Sequence, residues 1–336
     1  MIELIKKADV VSFASNYNPT TASLLDQLFP NEKTQNINIS YLQTRKNKNA
    51  PIALVHAWDS EAKIGSREKF TEKEVQKFLI KEKLQLNEEY AEMAEKYKDN
   101  AEIQDLIFND LGTTSDAVRN RTLVMKGELL ANGKFTVKEN NLSFTMDFGV
   151  PADNKTAVDW SDPNADILGD INTLVNKAKD AGYELTRGVT SNKVLAKIQM
   201  NVGVRKAMFG VNSDRIPTIA EVNAYLNDNY GIVLVAFDAV YRYERANGTI
   251  ATKRYFDENK LSLFGGARTE TVGKGFYGVT PEERKEKLDV RTSKNIYVMN
   301  TVWETPDPVA TWTKASAVFV PVLADPDNLF IATVTL

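Results

Sequence analysis

The chain has 336 residues, 43% hydrophobic and 26% charged, with a formal net charge of −3. Cys is absent and His56 is the sole histidine, which excludes disulfide frameworks, thiol catalysis, zinc ribbons, iron–sulfur ligation and any site needing two imidazoles. The near-balance of 42 basic and 45 acidic residues gives no electrostatic footprint of a nucleic-acid binder, and the length suits two ordinary domains or one elaborated one.

The N-terminal stretch MIELIKKADVVSFASNY lacks an apolar run of signal-peptide length, and no segment approaches a membrane-spanning run. A chain made and kept in a cytoplasm, with no membrane partner, is the expectation. Residues 1–40 read as an arm. Leu24, Leu25, Leu28 and Phe29 form one amphipathic turn, stopped by Pro30 and flanked by polar, turn-rich sequence. This is too little apolar surface for a core of its own, so its partners must lie elsewhere in the fold or on another subunit. Ile37 to Leu42 alternates as a strand, and Pro51 to Trp58 is a second β-prone run. Between Glu61 and Lys83 the chain is dense in Lys, Arg and Glu, and it reads as a long charged β-hairpin.

Residues 100–131 carry the longest helical pattern. Ile103, Ile107, Leu111, Thr114, Val118, Thr122, Met125 and Leu129 recur at steps of three and four, Asn100 can cap the start, and Asn132-Gly133 stops it. Such a helix is about 45 Å long, a scaffold element, with a kink or break possible at Gly112. Phe135–Val137 and Leu142–Met146 form a hairpin around Glu139-Asn140-Asn141. A loop over 151–166 follows. A helix then starts at Asp162-Pro163, buries Ile167, Ile171, Leu174, Val175 and Ala178, and ends at Gly182. Ser191 to Phe209 is a further helical region. Thr218 and Glu221 make a capping box for a helix that reaches Tyr230 and stops at Gly231. Residues 232–237 (IVLVAF) read as a strand buried on both faces, and Asn247-Gly248 as the turn of a hairpin between Tyr241 and Phe256. Leu261–Phe264 and the runs 294–303, 316–323 and 329–335 complete an α+β pattern, with no internal repeat.

Several groupings invite a chemical reading. Gly273-Lys274-Gly275-Phe276-Tyr277-Gly278 is a literal G-x-G-x-x-G. A dinucleotide site needs a helix opening inside that motif, and here the first helix signal is Pro281 near Thr280, so a flexible glycine loop is the plainer reading. His56 beside Asp59 has no neighbouring nucleophile. The acidic residues Asp153, Asp159, Asp162 and Asp166 lack EF-hand spacing, and turns and caps account for Asp162 and Asp166. Asp325-Pro326-Asp327-Asn328 sits between two β runs as a tight turn. Arg45, Lys46 and Lys48 form a short basic run that suits a solvated or subunit-facing loop. No catalytic, cofactor-binding or metal-binding residue is assigned, and no cofactor is expected.

An arm and a charged extension that cannot stabilise themselves motivate an assembly protein, with neighbouring subunits supplying the missing contacts. The chain resembles the lambda-type phage major head protein family, phage major capsid protein E. The stretch Val320-Pro-Val-Leu-Ala-Asp-Pro-Asp-Asn-Leu-Phe330 with the final strand carries the resemblance most specifically. Leu24 to Phe29, Lys126 to Phe135 (KGELLANGKF) and Tyr230 to Phe264 agree in order.

The resemblance implies a Hong Kong 97-type capsid fold: an N-arm at 1–46, an extended E-loop at 47–83, a P-domain at 84–160 with a spine helix at about 100–131, an A-domain at 161–304, and C-terminal strands at 305–336 completing the P and A sheets. It further implies a non-enzymatic major capsid protein of a tailed phage, self-assembling into pentamers and hexamers of an icosahedral head. Scaffolding protein and portal would be its partners, with a decoration protein a further candidate. The shell would enclose double-stranded DNA without specific binding, in the virion after assembly in the host cytoplasm. The competing readings are another phage structural protein and a nucleotide-binding enzyme using Gly273–Gly278.

Overall fold

The protein is described from a computed structural model, over residues 12–13, 16–17, 23–36, 38–44, 70–86, 100–139, 142–211, 213–245, 247–265, 271–284, 291–295, 297–307 and 309–336. The elements begin with α1 (Leu24–Leu28), β1 (Asn31–Lys33), β2 (Asn38–Thr44), β3 (Phe70–Gln76) and β4 (Phe78–Leu86). The long helix α2 (Asn100–Asn132) leads into β5 (Lys134–Glu139), β6 (Leu142–Asp147) and β7 (Lys155–Asp159). Then come α3 (Ile167–Asp180), β8 (Arg187–Thr190), α4 (Asn192–Met200), α5 (Val202–Phe209) and α6 (Ile219–Tyr230). β9 (Val233–Ala236), β10 (Val240–Glu244), β11 (Ile250–Arg254), β12 (Lys260–Phe264) and β13 (Gly273–Tyr277) follow. The chain closes with α7 (Pro281–Arg284), β14 (Arg291–Asn295), β15 (Val298–Pro306), β16 (Val309–Leu323) and β17 (Leu329–Thr335). This is the expected α+β content. Among the described residues, no helix is long and apolar enough to cross a membrane.

The chain divides into two compact units, one of residues 1–39, 74–126 and 274–322, the other of 40–73, 127–273 and 323–336. In the first, a six-stranded sheet runs β1-β13-β16-β15-β14, with β4 also paired to β16. β16 is its axis. It takes β15 antiparallel from Val309 to Ser316 and β4 antiparallel from Thr311 to Phe319. α2 is fastened to this sheet by Ser115 Oγ, which donates to Asn300 Oδ1 at 2.8 Å, and by the Tyr277 hydroxyl on Thr122 Oγ1 at 3.3 Å.

The helix follows its expected face: Leu111, Thr114, Val118, Thr122, Met125 and Leu129 are all buried. It is not broken at Gly112. A Cβ there would stand 3.2 Å from the Tyr17 ring, so the glycine admits a close approach, and the Tyr17 hydroxyl bonds Asp116 at 2.8 Å. Its 33 residues make about 50 Å of helix, ended at Gly133, whose φ of 70° only glycine adopts cheaply.

The second unit layers helices on a five-stranded sheet of order β7-β17-β12-β8-β9. β7 and β17 are parallel, as are β8 and β9, while β12 is antiparallel to both its neighbours. Ile171, Leu174 and Val175 of α3, Val194 and Ile198 of α4, and Leu226 of α6 bury against Leu261, Leu263, Phe330 and Ala332 in one cluster. Gly188 of β8 is required there, since a Cβ would meet leucine methyls of Leu234 and Leu263 at 2.6 Å.

The structure departs from the sequence expectations at several places. The charged stretch is β-structured where described, but β3 and β4 do not pair with each other: β3 joins β2 and β4 joins β16. They part at Lys77, which is buried, its ammonium turned onto the carbonyls of Thr34 and Asn36. The loop expected over 151–166 contains β7, which pairs with the C-terminal strand. The helix expected from Asp162-Pro163 begins at Ile167 instead, capped by Asp166 on the Gly169 amide at 3.0 Å. Asn201 divides the 191–209 region into α4 and α5, its side-chain Oδ1 accepting from the Val204 amide at 2.9 Å. β9 is an edge strand with Val233 exposed, not a strand buried on both faces. The hairpins β5–β6 and β10–β11, the Thr218–Glu221 capping box and the αL glycine Gly231 are as read.

Replacing the fully buried Ile171 with Ala is expected to cost about 2–5 kcal/mol, read as a lower urea midpoint by circular dichroism.

Candidate functional site

A dense polar constellation in the first unit is built around a lysine. Lys126, in the last two turns of α2, is fully buried. Its Nζ donates to Asp26 Oδ1 at 2.6 Å, Asn31 Oδ1 at 2.7 Å and the Phe29 carbonyl at 3.0 Å, and stands 5.6 Å from the Phe319 ring centroid. All three acceptors come from one short segment, 26–31. Ser23 caps α1 on the Leu25 amide, and Leu25, Leu28 and Phe29 bury beneath it, so Asp26 and the Phe29 carbonyl are held by a folded turn. Asn31 opens β1, whose Cα register on β13 is Asn31 opposite Gly275. Asn31 Nδ2 in turn donates to Asp26 Oδ1 at 3.3 Å, and Arg119 approaches the other Asp26 oxygen at 3.5 Å. Burial pushes the Lys126 ammonium below the usual lysine value, against the pull of the adjacent Asp26.

Gly275 belongs to this knot. A Cβ on it would stand 2.7 Å from Asn31 Oδ1, 2.9 Å from Phe319 and 3.1 Å from Lys126 Cε. Gly278 is as confined, a Cβ meeting Val318 at 2.8 Å and Lys77 at 3.0 Å. The glycine motif is therefore neither a phosphate cradle nor a flexible loop. Its first five residues are β13, and the Gly275 and Gly278 amides are spent on the Pro30 and Val318 carbonyls. A pyrophosphate needs free amides at a helix start, and the helix here, α7, begins only at Pro281. Its Glu282 is bonded to Lys314 at 2.6 Å and its Glu283 to Lys33 at 2.6 Å, which clamps α7 between β16 and β1.

The other candidates disperse. Asp159, Asp162 and Asp166 each accept a backbone amide two or three residues on, as turn and cap residues do. No group of three or more acidic or histidine side chains that could hold a metal ion occurs among the described residues. Asp325 caps the Pro326–Asn328 turn at the Asp327 amide and receives the Tyr183 hydroxyl at 3.2 Å. The Asp327 carbonyl takes the Asn154 amide at 2.8 Å, so this acidic turn is a structural corner. His56, Asp59, Arg45, Lys46 and Lys48 lie outside the described residues.

Sequence reasoning missed Lys126, Asn31 and the packing role of Gly275. One signal was present: Lys126 stands four residues after Thr122 and three before Leu129, on the apolar face of α2, where an unpaired lysine is costly.

Outward-facing apolar groups are concentrated elsewhere. In the second unit Met200, Val211, Ile216 and Ile219 are exposed around the ends of α4, α5 and α6. The β10–β11 ribbon, a two-stranded sheet of its own, exposes Val240, Tyr243 and Ile250.

Comparison with known proteins bears on this arrangement. The family model described as phage major capsid protein E matches residues 9–334. No protein with a curated description matches. Among solved structures, the putative capsid protein of a prophage of E. coli CFT073 superposes with a TM-score of 0.63 at 15% identity, over 98% of this chain and 99% of that one. A phage-related protein of Bordetella bronchiseptica RB50 gives 0.54 at 12% identity, over 97% and 96%. The capsid of Myoviridae phage XM1 gives 0.51 at 10% identity, over 98% and 99%. The likenesses establish the Hong Kong 97-type capsid fold.

Gly275→Val is expected to destabilise the first unit by about 1–3 kcal/mol through overpacking, read as a lower denaturation midpoint. A nucleotide-dependent rise in that midpoint for the unaltered chain would contradict the packing role given to the motif.

Proposed function

The chain belongs to the phage major capsid protein E family and is a shell-forming major capsid protein of the virion, and from that premise we propose that its copies close into an icosahedral head of pentamers and hexamers around double-stranded DNA. The family match across residues 9–334 carries the reading. In this reading residues 1–46 are the N-arm, 47–83 the E-loop, 84–160 the P-domain, 161–304 the A-domain, and 305–336 the closing strands. A separate scaffolding protein and a portal are its assembly partners, a decoration protein is a further one, and assembly takes place in the host cytoplasm. The role is structural, with no reaction assigned to the chain.

Physical features support self-association. An isolated two-stranded ribbon is marginal in water, yet β10–β11 leaves Val240 52% and Ile250 70% exposed, so a neighbouring copy that covers it would stabilise both. Surface ion pairs contribute only about 0–1 kcal/mol each. A shell held partly by the Lys- and Glu-rich stretch before β4 therefore needs many such contacts acting together. The net charge of −3 suits a wall that surrounds DNA without gripping it.

Purified chain, supplied with its scaffolding partner, is expected to give large closed particles by negative-stain imaging and sedimentation. A stable monomer at every concentration would overturn the proposal. Deleting residues 50–69 is expected to abolish closed particles while leaving a chain that unfolds cooperatively. Normal shells from that deletion would remove the E-loop from the account.

A further inference from the structure

In the second unit, α4, α5 and α6 bury one apolar set and leave another outside. Val194, Leu195, Ile198, Val204, Val222 and Leu226 pack into the core. Met200, Val211, Ile216 and Ile219 do not, and Val211 is 76% exposed. Exposed apolar side chains scattered singly are ordinary, whereas a cluster of them marks a surface that another molecule covers.

The cluster is held in place. Gln199 Nε2 donates to the Pro217 carbonyl at 2.7 Å, which ties the end of α4 to the residue after Ile216. The Arg215 guanidinium lies 4.6 Å from the Phe209 ring centroid and pairs with Glu221 of α6, so the loop between α5 and α6 is fastened on both sides. A surface shaped in advance loses little freedom when it is covered. The charge around it has one sign. Residues 192–219 carry Lys193, Lys197, Arg205, Lys206 and Arg215 against the single acid Asp214, in a chain whose net charge is −3. Lys193 and Arg215 are met by Glu258 and Glu221. Arg205 and Lys206 form no salt bridge among the described residues, and Arg205 Nε is buried with no hydrogen-bond partner.

We propose that this face of α4, α5 and α6 docks an acidic amphipathic helix of a second protein. The apolar stripe of that helix covers Met200, Val211, Ile216 and Ile219, and its carboxylates meet Arg205 and Lys206. This goes beyond shell formation and does not rest on it. Charge argues against a second copy of this chain as the occupant. The other exposed apolar group described above for this unit, the β10–β11 ribbon, carries Arg242, Arg245 and Lys253 against Glu244. Two copies meeting cluster to cluster, or cluster to ribbon, would set like charges together. Duplex DNA would answer the cations and leave the apolar side chains beside phosphates. The helices keep their backbone hydrogen bonds to themselves, so an occupant gains side-chain contacts and not a β-ladder. An amphipathic helix with carboxylates beside its apolar stripe satisfies both demands.

The probe is a fluorescein-labelled helical peptide with leucines at i, i+3, i+4 and i+7 and glutamates flanking them. It is titrated into the purified, unassembled chain and read by fluorescence anisotropy. Saturable binding is expected, weakening as salt is raised. The same peptide with lysines in place of the glutamates is expected to bind about tenfold more weakly, as is the glutamate peptide to Lys206→Glu and to Val211→Asp combined with Ile216→Asp. All three altered side chains are exposed, so an unchanged urea midpoint is expected. If the double variant unfolds earlier, Lys206→Glu and the lysine peptide decide. No binding of the glutamate peptide, equal binding of the lysine peptide, or binding untouched by the variants overturns the proposal. So does a shift in the sedimentation of the chain alone on introducing Val211→Asp with Ile216→Asp, which would make the cluster a contact between copies. So does a short DNA duplex that binds more tightly than the peptide and is lost in Lys206→Glu. Shell formation is scored separately by imaging, so failure of one reading leaves the other standing.

Discussion

A cation shut away from water has to bring its own acceptors, and Lys126 imposes that requirement on the first unit. Its Nζ is satisfied only if a carboxylate, a carboxamide oxygen and a backbone carbonyl converge within hydrogen-bond distance. All come from residues 26–31, so α1, the turn at Pro30 and the start of β1 must sit where they do. Removing one member of a buried charged pair typically costs about 3–5 kcal/mol, comparable with much of a domain's net stability. A single side chain in α2 thus constrains the path of residues 26–31, alongside the burial of Leu25, Leu28 and Phe29.

The requirement spreads into the sheet. With Asn31 committed to Lys126, β1 is placed in register on β13, and the residue opposite Asn31 must lack a Cβ. With β13 in place, the Tyr277 ring packs on Phe319 of β16 at 4.7 Å and its hydroxyl reaches Thr122 of α2. Phe319 in turn lies under the Lys126 ammonium. Helix, arm and sheet are closed into a ring of mutual constraints by residues far apart in sequence. Polar networks of this kind specify one arrangement strongly when every member is satisfied.

Much of this architecture was legible because it is local. The face of α2, the α6 capping box, the Gly133 and Gly231 stops and the β5–β6 and β10–β11 turns each depend on residues within a few positions, where period and backbone preference act directly. Strands whose identity comes from a distant partner were not legible. β7 is five residues amid aspartates and prolines, and only β17 makes it a strand. β3 and β4 resembled a hairpin because they are adjacent, yet β4 is claimed by β16, more than two hundred residues later. The Lys126 site failed for the same reason. Its acceptors lie about a hundred residues upstream, and a lysine among Thr122, Met125 and Leu129 reads as an ordinary helix residue until those acceptors are placed.

The same ring changes where the cost of order falls during assembly. An arm that folded only on a neighbour would charge its conformational entropy to each subunit contact, about 1–2 kcal/mol per residue fixed. Residues 23–36 instead find their partners in their own chain: Asp26, Phe29 and Asn31 on Lys126, Lys33 on Glu283, and Thr34 on Lys77. That segment is already ordered before any second copy arrives. Contacts between subunits can then be individually weak and still close a shell, because little of their energy goes into shaping the subunit. The glycine motif follows from this logic. A chain that fixes its arm internally needs a strand the arm can approach closely, and Gly275 and Gly278 provide it through what they lack.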